Sequence, residues 1–245
     1  MNKYSLYING KFVETKEKQN IINPSTGRVI AEASVASLKE VELAISSARA
    51  AFDKGPWRNL SLLERKAYIF KIAQGILDNA GELAALESAN TGKPIKEATF
   101  MDIPSSAKSF EHIANNFESY LQAEVVNVNN EANAYLSRES AGVVVLIVPW
   151  NYPLLIACWK LASALAAGNT VILKPSSLTP VSVLELAKII NNAGLPAGVV
   201  NVINGSGSIV GEALCADKRV DMISFTGSNE VGLSLIHISE PTRPY

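Results

Sequence analysis

Only two cysteines and two histidines occur in 245 residues, and this scarcity narrows the field. Cys158 and Cys215 each sit in an apolar stretch that reads as helix. They form no disulfide framework and read as buried thiols of a reducing compartment. Neither sign of charge is in excess: 22 Lys and Arg against 23 Asp and Glu leave a formal net charge of −1. With no basic run, nothing favours nucleic acid or an anionic membrane as partner. No uncharged apolar run reaches the roughly 18 residues of a membrane span. The longest, Ala141 to Trp159, is broken by Asn151 and two prolines. The polar, alternating opening MNKYSLYINGKF is no signal peptide. The expectation is a soluble cytoplasmic protein with no metal site.

What is present suits one large globular domain or a domain and a half: 48% hydrophobic residues and a mean hydropathy of +0.15. YSLYI and KFVE flank Asn9-Gly10, a hairpin signature. Another short strand is expected at Val29 to Ala33, between Asn-Pro and Thr-Gly breakers and the first helix. Ser37 with Glu40, and Ser61 with Glu64, have capping-box spacing. Val41, Ala44, Ile45, Ala48 and Phe52 then give a helical stripe. A third helix is expected to end at NTGKP, with Gly92 as left-handed cap, and a fourth to run from Ile95 to Leu121. Glu124 to Ser140 alternates with a period of two and reads as two exposed strands.

From Gly142 the pattern becomes strand then helix, repeated. GVVVLIV, TVILK, VVNVI and VDMISF are strands, three of them followed by helices over Leu154 to Ala167, Val181 to Asn192 and Ser208 to Ala216. The prediction is an α/β fold with a parallel, doubly wound, Rossmann-like sheet and flanking helices. Such sheets bind ligands at the carboxyl ends of their strands.

Each strand end carries polar or glycine punctuation. PWNYP is stiffened by Pro149 and Pro153. Asn151 between them either caps the next helix, which spacing alone favours, or aims an amide at an oxyanion. Lys174 follows TVIL and is either a solvated loop lysine or a clamp on ribose or phosphate, with Ser176 and Ser177 as small donors. Gly205, Gly207 and Gly211 approach a dinucleotide fingerprint, with the last gap one residue too long. Ser208 is expected to start a helix facing phosphate. Phe225, Thr226, Gly227 and Ser228 offer a tight turn and a capping hydroxyl. Together these suggest a nucleotide site built across the sheet.

VPWNYPLLIACWKLASALAAGNTVILKPSSLTP, GLPAGVVNVINGSG and FTGSNEVG, with INPSTG, GPWRNLSLLER and NTGKP, resemble the NAD(P)-dependent aldehyde dehydrogenase superfamily, most of all its betaine-aldehyde branch, from Lys3 to about Gly232. The resemblance implies a helical N-terminal part over residues 1–123, oligomer-joining strands over 124–141 and a cofactor-binding part over 142–232. It makes Asn151 the oxyanion amide and Ile147, Val148, Pro149 and Trp150 the wall beside the cofactor. It makes Lys174 the ribose-binding lysine. Gly207 and Gly211 fall on the pyrophosphate helix, Gly227 and Ser228 on a second phosphate turn, and Val231 against the adenine. NAD is the implied cofactor and an aldehyde the substrate, in a homodimer or homotetramer. Ser177 stands where strict NAD users often carry a glutamate, so NADP is expected to be accepted as well.

Family chemistry needs a cysteine nucleophile, which forms a thiohemiacetal, and a glutamate base. Both belong to segments beyond Gly232, and Cys158 and Cys215 lie in other motifs. By position the resemblance allows Lys160 a minor proton-relay role, but a structural one is expected. An N-terminal part of the enzyme, inactive by itself, is therefore expected; a non-catalytic nucleotide-binding module is the alternative. Residues 233–245 read as a non-native tail without a helical stripe. Leu233 to Arg243 match the translation of a transposase-based sequencing adapter, so His237 and Glu240 are given no catalytic role.

Overall fold

The computed structural model describes residues 2–121, 124–129 and 132–239. Its main sheet takes strands from both ends of the chain. The N-terminal strands are β1 (Asn2–Tyr4), β2 (Leu6–Ile8), β3 (Lys11–Val13), β4 (Lys18–Ile22) and β5 (Val29–Ser34). The helices α1 (Leu38–Lys54), α2 (Leu62–Asp78) and α3 (Ala80–Thr91) follow. Both capping boxes form as the spacing predicts, at Ser37 with Glu40 and at Ser61 with Glu64. Gly92 ends α3 at φ 82°, the left-handed region where glycine costs least.

The expected fourth helix is interrupted. The short α4 (Ile95–Glu97) passes through a π-helical turn, Ala98–Asp102, into α5 (Ile103–Leu121). The wider turn leaves Phe100 and Met101 exposed and Asp102 fully buried. The strands β6 (Glu124–Asn129) and β7 (Ala132–Leu136) then pair, among the described residues, with each other alone, an antiparallel ribbon with Val125, Tyr135 and Leu136 exposed.

The strand–helix units come next: β8 (Val143–Ile147), α6 (Pro153–Ala166), β9 (Thr170–Lys174), α7 (Val181–Ala193) and β10 (Val200–Val202). A π-helical turn, Gly207–Gly211, leads into α8 (Glu212–Ala216), β11 (Met222–Phe225) and α9 (Asn229–Ser239). The sheet order is β11-β8-β9-β10-β2-β3. The four strands from β8 onward are parallel, as predicted. The N-terminal hairpin adds an antiparallel pair beside β10, which the sequence reading did not anticipate. Asn201 holds it there: its Oδ1 accepts from the Asn9 backbone N–H at 2.9 Å. A separate sheet, β1-β5-β4, flanks this one.

Alternate residues of each central strand enter different cores. Val144, Leu146, Val171 and Leu173 pack with α2, α5, α6 and α7 on one face. Val143, Val145 and Ile172 pack with α1, Val210 and Leu214 on the other. This two-sided burial explains the unbroken apolar runs.

Gly142 enters β8 at φ 133°, and a Cβ there would run into the Asp221 carboxylate. That carboxylate has no room to retreat, since it accepts from Val143 N at 2.7 Å and Arg49 Nη1 at 2.7 Å. Gly142→Ala should therefore cost at least about 2 kcal/mol of folding free energy, read as a lower denaturation midpoint; an unchanged midpoint would show that the strand entrance is not so constrained.

Candidate active site at the carboxyl edge of the sheet

Parallel pairing brings the strand ends to one edge. Val148 N donates to Lys174 O at 3.1 Å, and Thr226 N to Ile147 O at 3.1 Å. The segments after β8, β9 and β11 therefore leave the sheet side by side.

After β8, Val148 turns inward, Pro149 is half-buried and Trp150 is exposed. Asn151 is exposed too, and its amide has no hydrogen-bond partner among the described residues. The helix-cap role that spacing favoured is not taken up. Pro153 opens α6, the cap position falls to Tyr152, and no side chain caps the helix. Tyr152 instead donates its hydroxyl to Glu97 Oε1 at 2.9 Å. The Asn151 amide is thus left free, between two prolines that limit the backbone around it.

Lys174 is not a solvated loop lysine. It is the last residue of β9 and 4% exposed. Its Nζ donates to Pro175 O at 3.3 Å, and a methyl group on Gly211 would sit 3.8 Å from its Cε. Burial lowers its pKa to about 8, with the Cys215 thiol opposing the shift. Ser176 Oγ accepts from Leu178 N at 3.3 Å, and the Ser177 carbonyl accepts from Gln19 Nε2 at 2.9 Å.

After β10 the helical turn begins one residue before the predicted Ser208. Ser206 is the cap, and its side chain accepts from Ile209 N. Gly205 is required by packing, because a Cβ there would strike Val210, whereas Gly207 faces open space. Ser208 and Ile209 line a cavity of about 440 Å³ with Leu38, Glu212, Ala213 and Ala216. After β11, Phe225, Thr226, Gly227 and Ser228 line a second cavity, of about 600 Å³. The Phe225 ring occupies the place a Gly227 side chain would need. Ser228 caps α9, accepting from Val231 N at 3.3 Å.

Helix α9 runs on from Gly232 through Ser239, with Leu233 and Ile236 exposed and Ile238 at the rim of the smaller cavity. Val231 lies on its exposed side and lines neither cavity. The side chain of His237 and all of Glu240 to Arg243 lie outside the described residues.

Sequence reasoning missed the groups behind the site. Asn90 Nδ2 donates to Leu178 O at 3.1 Å, and Thr179 Oγ1 to Trp150 O at 2.9 Å. Next to Tyr152 lies a buried ionic cluster. The Lys93 ammonium is 4.1 Å from the Tyr152 ring centre, 3.7 Å from Glu87 Oε1 and hydrogen-bonded to Asp102. Asn90 and Lys93 fall in NTGKP, whose local signal is that of a helix end. Lys160, read as structural, donates to Ser224 Oγ at 2.8 Å.

The profile of the aldehyde dehydrogenase family matches residues 12–243. The NADP/NAD-dependent aldehyde dehydrogenase PuuC of Escherichia coli is 40% identical over 94% of this chain and 47% of its own length. Betaine aldehyde dehydrogenase of Bacillus subtilis is 40% identical over 95% of this chain and 48% of its own. The solved NAD+ complex of an aldehyde dehydrogenase from Bacillus cereus superposes with a TM-score of 0.94 at 34% identity, covering 97% of this chain and 49% of that one. The chain spans about half the length of the curated relatives it matches.

The buried cluster gives the site's support a pH signature. Two carboxylates share one ammonium, and burial pushes Glu87 up to about 7, tempered by Ser182 and Lys93 and increased by Asp102. Below its ordinary value of 4.5, Glu87 is neutral both folded and unfolded. Between 4.5 and about 7 the unfolded chain releases the proton while the folded protein keeps it, so stability falls as pH rises. Above that window the term is flat. Wild type should lose on the order of 3 kcal/mol to this group between pH 4.5 and 7. Glu87→Gln should flatten that slope in denaturant titrations at pH 5 and pH 8; an equal slope in both proteins would rule Glu87 out.

Proposed function

Because the chain belongs to the aldehyde dehydrogenase family, we propose that it is the cofactor-binding portion of an oxidoreductase that oxidises an aldehyde to a carboxylic acid with NAD or NADP. The observation that carries this is Lys174: a buried cation at the carboxyl edge of a parallel sheet, with no carboxylate partner among the described residues. The donor set suits a dinucleotide. Lys174 and Ser177 hold ribose hydroxyls, and Ser176 adds a hydroxyl nearby. The helical turn capped by Ser206, with Gly207 open and Gly211 against Lys174, receives the pyrophosphate. Thr226, Gly227 and Ser228 are assigned to a second phosphate turn, and the exposed Val231 to the adenine. Ile147, Val148, Pro149 and Trp150 wall the nicotinamide end. When bound, the nicotinamide supplies the hydride acceptor. Asn151 donates its free amide to the aldehyde oxygen and stabilises the negative charge that develops there.

Neither cysteine serves as nucleophile in this reading. Cys158 is fully buried, and burial raises its thiol far above the ordinary range. Cys215 is 5% exposed, and burial raises it to about 11 despite Lys174. We therefore take the chain by itself to bind cofactor without turnover. Its exposed β6–β7 ribbon is assigned to contact with further copies of the chain, as a homodimer or homotetramer. Ser177 brings no negative charge to repel a 2′-phosphate, which supports acceptance of NADP beside NAD. We also assign residues 233–245 to foreign sequence, on the adapter match. Re-reading the gene beyond codon 232 tests this, and a genomic sequence with the same thirteen codons would remove it.

Titration of the chain with NAD and with NADP, followed by tryptophan fluorescence and calorimetry, tests the cofactor reading. Both should bind, and Lys174→Ala should weaken both by about tenfold to a hundredfold. Aldehyde-dependent NADH formation should stay at background. Binding of NAD alone would sink the NADP assignment, and turnover would sink the assignment of inactivity.

A further inference from the structure

The turn that carries Ser177 is held from outside the main sheet. Residues 176–179 close on themselves through Thr179 N to Ser176 O at 3.2 Å and Leu178 N to Ser176 Oγ at 3.3 Å. Three side chains from three parts of the fold then take up the surrounding carbonyls. Gln19 on β4 donates to Ser177 O at 2.9 Å. Asn90 on α3 donates to Leu178 O at 3.1 Å, while its Oδ1 accepts from Val181 N at 3.3 Å. Thr179 donates to Trp150 O at 2.9 Å, tying this turn to the wall after β8. Asn90 and Thr179 are both 4% exposed; Gln19 is half-buried and reaches across from the smaller sheet.

These contacts divide the work. Lys174 needs none of them, because the main sheet places it as the last residue of a central strand. Ser177 lies beyond the strand, in a turn whose peptide planes are set by what binds their carbonyls. A hydrogen bond to Ser177 O restrains the peptide between Ser177 and Leu178, and with it the shape of the turn that carries Ser177. Of the three clamps, only Gln19 acts on the Ser177 carbonyl itself.

We propose that Gln19 is a positioning residue for cofactor selectivity: by holding the Ser177 carbonyl, it keeps the turn in the shape that accepts a 2′-phosphorylated ribose. The inference rests on the reading of Lys174 and Ser177 as ribose contacts. A 2′-phosphate is bulky and doubly charged, so it depends on the turn's position. A bare 2′-hydroxyl is small and keeps its contact with Lys174 when the turn shifts. Loss of the clamp therefore falls mainly on NADP.

Two variants test this on the full 245-residue chain. Gln19→Leu removes the donor, and Gln19→Met keeps the length of the side chain with neither a donor nor a charge. Both should raise the Kd for NADP about tenfold and that for NAD less than about twofold. The melting temperature should change little, and amide exchange at Ser177 and Leu178 should quicken. If either variant fails to fold, the other carries the measurement. Equal weakening of both nucleotides, with a lowered melting temperature, would reduce Gln19 to a structural role and overturn the proposal. An unchanged Kd ratio would overturn it as well, leaving the cofactor reading intact. If the wild-type chain binds neither nucleotide, the cofactor reading falls and the selectivity proposal with it. Unchanged exchange at Leu178 would remove the clamp whatever the nucleotides do.

Discussion

The register that sets Ile147 opposite Lys174 is the constraint on which the candidate site depends. It puts the ends of two central strands level, so the PWNYP turn and the lysine leave the sheet as neighbours. The bond from Val148 N to Lys174 O extends that pairing one step beyond β8, and the one from Thr226 N to Ile147 O brings the third segment alongside. A slip of one residue would exchange the two cores, sending Val144 and Leu146 toward α1 and Val145 toward α6. Because both faces of the sheet are packed, no such slip is tolerated, and the geometry of the edge follows from hydrophobic burial far from it.

That burial also creates the electrostatic character of the edge. Lys174 is dry because β9 is flanked by β8 and β10 and covered by Gly211. Burial depresses its pKa to about 8, so the fold holds a cation it has not fully solvated. Hydroxyl or phosphate oxygens from a ligand can return what water no longer supplies. Beneath the neighbouring turn the signs are reversed: Glu87 and Asp102 outnumber Lys93, and Glu87 responds by keeping its proton to about pH 7. The two sites show one rule. At both sites burial works against the charged form, lowering the pKa of Lys174 and raising that of Glu87.

Much of this was legible in the sequence wherever the cause was local. Continuous apolar runs gave β8 and β9, and Ser-x-x-Glu spacing gave two capped helices that formed as expected. Asn9-Gly10 gave the hairpin, with both residues at positive φ. What escaped was set by distant partners. The hairpin joins the main sheet because Asn201, 192 residues on, accepts from Asn9. The clamps on residues 177 and 178 come from Gln19 and Asn90, which no periodicity connects to them. The turn after β10 starts one residue before the expected Ser208, because Ser206 and Ser208 are equally good caps by type and the bond to Ile209 N separates them.

Asn151 and the two cysteines show how exposure sorts candidate chemistry. An amide that stands in water at the end of a strand loses little while it waits, because solvent satisfies it until an acceptor arrives. The turn that carries it is stiffened at Pro149 and at Tyr152-Pro153, two residues away on each side. A thiol in a helix core is in the opposite state. To act as a nucleophile it must ionise, and at Cys158 the surrounding apolar packing and the nearby Glu87 both resist that. The packing that makes the sheet edge regular therefore disqualifies the residues most easily mistaken for its nucleophile. At the edge itself stand the exposed Asn151 amide and the buried Lys174 ammonium.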